Sequence, residues 1–312
     1  MNVKNAFAHL NPIAKLGIVA IVALVCLLLS IVLASLVSIP FYGLDQISDI
    51  INSSVNIDAG NVSFLKFLQL AQSIGLFIIP SIILAILFGG SVKKFLKLES
   101  LPYFFPILIA ILIILVSNPL INFVGEINAN MKLPAGLSSL DQWMRNSEDA
   151  ADELTKIFLK TDSVWGLLFN IFMIAVIPAI GEEFLFRGVI QRIFIDLTKN
   201  KHLGIWISAI LFSALHFQFF GFIPRALLGA MFGYLFIWSG NLWLPVLAHF
   251  ANNALAVVAY YLFDRGVLLT DPEKIGIDSE SKLAVYLSIL FVIFLFRVFY
   301  SYEKKKRLEV NY

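Results

Sequence analysis

The feature that most constrains this chain is a run of about 20 apolar residues, almost free of charge, that recurs from one end of the sequence to the other. Such a run matches the thickness of the hydrocarbon core of a bilayer, and only helices or closed barrels cross one, because each backbone N–H and C=O must find its partner inside the structure. The apolar stretches here are continuous rather than alternating, so they read as helices. Eight are visible, at 16–42, 67–88, 103–124, 164–190, 203–220, 226–238, 242–263 and 283–300. The expectation is an all-α polytopic bundle of about eight transmembrane helices. The first run is too long for a cleaved signal peptide and lacks a clean small-residue cleavage site, so it counts as a span.

Composition agrees with lipid as the solvent. Hydrophobic residues make up 59% of the 312 and charged residues 14%, with a mean hydropathy of +0.87. A net charge of +2 gives no reason to expect a nucleic-acid partner. Cys26 is the one cysteine, which excludes an intrachain disulfide and a cysteine zinc site. The lysines and arginines set the orientation. Lys4 and Lys15, then Lys93, Lys94 and Lys97, then Arg192, Lys199 and Lys201, then Lys304, Lys305, Lys306 and Arg307 fall on alternate connections, whereas residues 43–63 carry no Lys or Arg. Both termini are therefore expected in the cytoplasm, as an even number of spans requires. An integral protein of the bacterial cytoplasmic membrane is the expected setting.

The long segment 125–163 carries seven acids against four bases and contains a helix of its own. Ser139 with Gln142 resembles a capping box, and Leu140, Trp143, Met144, Leu154, Ile157 and Phe158 recur at helical spacing. It is either a solvated linker helix on the outer face or a lid that contacts substrate. Asn52-Ser-Ser and Asn61-Val-Ser are sequons that do not establish a source. There is no internal repeat and no low-complexity tract.

Against this apolar background a few polar residues stand inside the spans, where they are costly and are kept mostly for function. Glu183 and Arg187 are one helical turn apart and can pair, with Gln191 a turn further along the same face. Glu182 points about 100° away, so the two acids should have different jobs. Glu183 reads as part of a brace and Glu182 as a candidate general base. Counting 1.5 Å per residue from the basic face puts Glu182 and His216 both roughly 20 Å deep, with His249 and Asn253 at roughly 12 and 18 Å. The four groups should converge, and His249 and Asn253, at i and i+4, share a face.

The motifs Glu182-Glu183-Phe-Leu-Phe-Arg187, Phe212-Ser-Ala-Leu-His216 and His249-Phe-Ala-Asn-Asn253 resemble, in order, the E-E-x-x-x-R, F-x-x-x-H and H-x-x-x-N motifs of the CAAX protease and bacteriocin-processing family. This family, also called CPBP or Abi, includes the Ras-converting CAAX prenyl endopeptidase. The resemblance covers roughly 164–263, the expected catalytic core. It is flanked by 1–163, three spans and the outer loop, and by 264–312, a loop, the last span and a basic tail. The resemblance implies an intramembrane endopeptidase with Glu182 activating water, His216 helping to hold that water, His249 and Asn253 stabilising the oxyanion, and Glu183 and Arg187 in support. It leaves the metal open: Glu182, His216 and His249 can ligate zinc or another divalent ion, and a glutamate-activated water needs none. H-E-x-x-H and G-x-S-G are absent. The implied substrate is a peptide or protein, lipidated or membrane-bound, reached from the cytoplasm. The alternative is a non-catalytic bacteriocin-immunity or partner-binding protein on the same scaffold.

Overall fold

The computed structural model describes residues 4–44, 59–270, 274–277 and 282–310, without side chains at 59–61 and 310. Asn52 and the side chain of Asn61 lie outside the described residues. All regular structure among these residues is helical. The main helices are α1 (Pro12–Tyr42), α2 (Val62–Gly89), α3 (Phe104–Ala129), α4 (Ser138–Leu159), α5 (Val164–Thr198), α6 (Lys201–Ala214), α7 (Phe222–Ser239), α8 (Trp243–Asp264) and α9 (Lys282–Val310). Seven of them are long and apolar enough to cross a membrane; α4 is charged, and α6 is shorter. The protein is an integral membrane protein.

The helix ends gather on two faces. The start of the chain meets the end of α2 through Asn5 N–H donating to Ile86 O (3.1 Å). Leu242 N–H donates to Lys97 O (3.2 Å), Asn241 Nδ2 to Ser100 O (2.7 Å), and Phe105 packs on Tyr302 with ring centroids 4.9 Å apart. Both described ends of the chain and the connections α2–α3 and α7–α8 thus share one face, here termed the terminal face. The far face is tied by Asn170 Nδ2 to Leu159 O (2.9 Å), Arg265 Nη1 to Asp162 O (2.8 Å) and Asn122 Nδ2 to Ile275 O (3.0 Å).

Burial sorts the helices into a centre and a periphery. Residues 181–191 of α5 are buried without a break, all round the helix, which makes α5 the central element. On α1, Ile21, Leu24 and Leu28 are more than half exposed, as are Leu283, Leu290 and Phe294 on α9; in a membrane these faces meet lipid. Both α2 and α5 carry a π-type turn just before a proline, at Ile74–Ile78 before Pro80 and at Ile171–Val176 before Pro178. Proline has no N–H for the ladder, and a widened turn accommodates the interruption. The two helices cross closely at Gly181, where an added Cβ would sit 2.8 Å from Phe77 Cβ.

Two expectations are corrected here. The fifth span does not run to 220, because α6 stops at Ala214 after 14 residues, about 21 Å of rise against a hydrocarbon core of about 30 Å. His216 and Phe217 N–H groups bond back to Ser213 O and Ala214 O, tightening the last turn, and Phe217 then takes φ 54°, which no helix can continue. His216 therefore follows a helix rather than lying inside one. The capping box is also absent: α4 emerges from a turn at Ala135–Leu137 one residue early, Ser139 is already inside the helix, and Gln142 Nε2 donates to Asn146 Oδ1 (2.9 Å) instead.

Candidate active site

The site is built upward from a closed floor. Glu183 and Arg187 pair as the i, i+4 spacing predicts, with Arg187 Nη1 donating to Glu183 Oε1 at 2.8 Å, and both side chains are removed from solvent. Arg187 Nη2 donates to Gly229 O (2.8 Å), and one turn further along both helices Gln191 Nε2 donates to Gly233 O (3.3 Å). Two consecutive turns of α5 are stitched to two consecutive turns of α7. The approach is possible because the α7 partners are glycines four apart, the small-xxx-small spacing that lets helices meet closely in a membrane. A Cβ at Gly233 would lie 2.6 Å from Gln191 Oε1 and 2.8 Å from Ile205 Cγ2. The Arg187 guanidinium also lies over the rings of Phe212 (4.8 Å) and Phe232 (5.4 Å), a desolvated cation held by π faces as well as by its carboxylate.

The same two rings position the imidazoles. His249 stacks on Phe232 at 4.9 Å with an interplanar angle of 13°, and Phe212 meets His216 edge-on at 4.9 Å. His249 Nδ1 donates to Glu183 Oε1 (2.8 Å), so Glu183 bridges Arg187 and His249. That bond fixes which nitrogen is left: Nε2 of His249 lies 3.9 Å from Glu182 Oε2. His216 Nδ1 donates to Phe212 O (2.8 Å), leaving its Nε2 as an acceptor while the ring is neutral. The imidazole beside Glu182 in an ion-pair geometry is that of His249, while His216, which the family resemblance implies helps to hold the water, lines the same cavity.

Adjacent in sequence, the two acids differ in access: the Glu183 side chain is 0% exposed and that of Glu182 12%. Glu182, His216, His249 and Asn253 all line one cavity of about 290 Å³, together with Phe212, Phe232 and the α7 residues Pro224, Arg225 and Leu228. The structure brings together the four expected site residues and places Glu183 and Arg187 behind them. Asn253 is oriented by a consequence of Pro178. With no N–H at 178, the carbonyl of Ile174 lacks its i+4 donor, and Asn253 Nδ2 donates to it at 3.2 Å. Asn252 Nδ2 donates to Asn253 Oδ1 (3.1 Å), which leaves Asn253 one amide hydrogen to offer the cavity.

The rim lies at the α6–α7 connection, toward the far face. Asn128 of α3 clasps that connection, accepting from Ile223 N–H (2.7 Å) and donating to Phe219 O (3.1 Å). Helix α4 lies against the same connection: Glu148 Oε2 accepts from Phe220 N–H (3.1 Å), Arg145 covers the Phe220 ring (4.3 Å), and Trp143 packs on Phe219 (5.4 Å). On α4 the hydrogen bond from Arg145 holds the Asp141 carboxyl below its usual range, while burial raises that of Asp152. Phe212 and Phe232 line the cavity and are buried, and the Arg187 guanidinium lies over both rings. The α6–α7 connection and the buried Glu183–Arg187 pair thus lie on opposite sides of the cavity.

Among the described residues no group of three His, Cys, Asp or Glu side chains gathers where a metal ion could sit. Glu182 and His249 are neighbours, but His216 does not complete a ligand set with them, so no step below passes through a metal. Arg225 and Asn252 were missed from sequence. Arg225 carries the same signal as Glu182, a charge in an apolar run, but the run was begun one residue later, at 226. Asn252 stands three residues after His249, on its face of α8.

Fold and site together define an all-helical integral membrane protein with a carboxylate–imidazole–amide cavity inside the bundle. Residues 163–255, the stretch that carries all three motifs, match the family model described as type II CAAX prenyl endopeptidase Rce1-like. A curated protein of Bacillus subtilis (strain 168), described as "Uncharacterized protein YpbD", is 33% identical over 90 residues, covering 28% of this chain and 43% of that protein. The chain therefore spans less than half the length of that relative. No solved structure matches.

Proposed function

We propose that this protein is an intramembrane endopeptidase that hydrolyses a peptide bond of a membrane-associated substrate with a water activated by Glu182. The observation that carries the reading is the unequal acid pair: a carboxylate that reaches the cavity stands next to a fully buried one whose Oε1 accepts from both Arg187 and His249. In the proposed reaction the Glu182 carboxylate takes a proton from water while the His216 Nε2 lone pair orients it. The water oxygen bonds to the scissile carbonyl carbon and the π pair moves to the carbonyl oxygen. The remaining Nδ2 hydrogen of Asn253 donates to that oxyanion, joined by Nε2–H of His249 when the ring is protonated between its two carboxylates. Glu182 then returns the proton to the amide nitrogen as the C–N bond breaks. Glu183 and Arg187 position His249 and take no proton.

The match to a prenyl endopeptidase family supports a peptide substrate at the membrane, and Phe212, Pro224, Leu228 and Phe232 in the cavity wall offer contacts to apolar side chains. The test is mass spectrometry of membrane-protein termini in cells carrying wild type or Glu182→Gln. New termini present with wild type and missing with Glu182→Gln support the reading; identical sets of termini contradict it.

A further inference from the structure

Two arginines stand near the site, Arg225 in the cavity wall and Arg187 behind it, and they are partnered in opposite ways. Arg187 is spent on a carboxylate, a carbonyl and two rings. Arg225, on the first turn of α7 and in the cavity wall, donates from Nη2 to Gln218 Oε1 (2.7 Å) and from Nη1 to Gln218 O (3.4 Å), both neutral acceptors. Among the described residues none of its nitrogens forms an ion pair. Glu148, Glu182 and Asp152 act on its charge only from longer range. Gly221 makes room for the group, since a Cβ there would lie 3.0 Å from Nη2.

A half-buried guanidinium bonded to the two neutral oxygens of one glutamine retains N–H groups that can bind a carboxylate. It stands in the same cavity as Glu182 and at its rim, so a peptide reaching the acid passes it. We infer that Arg225 anchors a carboxylate of the bound peptide, either its C-terminal group or an Asp or Glu side chain, and thereby sets where the chain is cut. The inference rests on the cavity being a peptide site. It makes Arg225 a specificity residue, distinct from the groups that act on the scissile bond. A brace holding Gln218 and the α6–α7 connection is the competing role, and it predicts no dependence on substrate charge.

The experiment uses full-length protein in detergent and three N-acetylated apolar tetrapeptides: a free C-terminal acid, its C-terminal amide, and the amide with one internal Asp. Binding is read from the shift in melting temperature, and cleavage by mass spectrometry. At least one carboxylate-bearing peptide should bind wild type about tenfold to a hundredfold more tightly than the plain amide, the scale of a charge-assisted hydrogen-bonded pair. Arg225→Gln should abolish that preference without changing the affinity for the plain amide, and Arg225→Lys should keep part of it. Which peptide wins identifies the source of the carboxylate. Equal binding of all three, no binding of any, or a preference that survives Arg225→Gln overturns the inference. Preferential binding without cleavage by wild type leaves the inference standing and counts against the proteolytic reading instead.

Discussion

The floor and the rim of the cavity are built on different principles. On the floor, two turns of α5 are locked to two turns of α7 by side chains that donate to glycine carbonyls, and every charged group there has a buried partner. At the rim, a short helix stops early, the chain turns through a residue at positive φ, and the connection is held by Asn128 and by contacts from a surface helix. The floor is costly to alter because removing either member of a buried pair strands the other in low dielectric. The rim is cheaper to alter because it is held by hydrogen bonds rather than by a buried ion pair. A site that must stay rigid at the chemistry and still admit a chain benefits from both.

The contrast gives an order of effects. Arg187→Met should be the most damaging single change, leaving Glu183 uncompensated, with a cost of about 3–5 kcal/mol that is read as loss of folded protein by size-exclusion chromatography in detergent. Normal yield and melting temperature for this variant would break the distinction at its strongest point. Gly233→Val should come next, costing about 1–3 kcal/mol in detergent melting because its Cβ meets Gln191 and Ile205. Asn128→Ala should cost less in melting, about 1 kcal/mol, and should instead raise protease nicking at 217–221, since both of its hydrogen bonds serve the α6–α7 connection. Unchanged nicking would show that the rim is held by something else. The smallest structural perturbation is a label: with Cys26→Ser as background, Asp149→Cys on α4 should react with an impermeant maleimide from outside intact cells and Ser301→Cys on α9 should not. The reverse pattern would put the rim on the cytoplasmic side.

What could be read from the sequence was governed by periodicity. The pairing of Glu183 with Arg187 follows from i, i+4 spacing alone, and so does the shared face of His249 and Asn253. Depth counted at 1.5 Å per residue brought four groups to one level, and they do meet in one cavity, but the count could not rank their neighbours. The π-type turns at Ile171–Val176 and Phe186–Ile190 alter the rise and rotation of α5 on both sides of Glu182, so which imidazole faces it was not legible. The end of α6 was hidden because Leu215, Phe217, Phe219 and Phe220 keep the segment apolar past the point where the backbone leaves the helix. Arg225 was lost to the same bias, since a window chosen for apolarity begins after the charge. Gly229 and Gly233 carried a readable close-packing signal that only the Arg187 and Gln191 contacts made specific.

The central claim is that neighbouring glutamates do unlike work, and it is tested most directly by measuring peptide release and detergent melting temperature side by side for wild type, Glu182→Gln and Glu183→Gln. The account predicts that Glu182→Gln loses at least about 1000-fold in turnover while its melting temperature stays close to wild type, because an amide cannot take the proton of the attacking water. It predicts that Glu183→Gln melts many degrees lower, since Arg187 and His249 lose their shared carboxylate. Full turnover in Glu182→Gln, or an equal loss of melting temperature in both variants, would contradict it and return the protein to the reading of a binding scaffold.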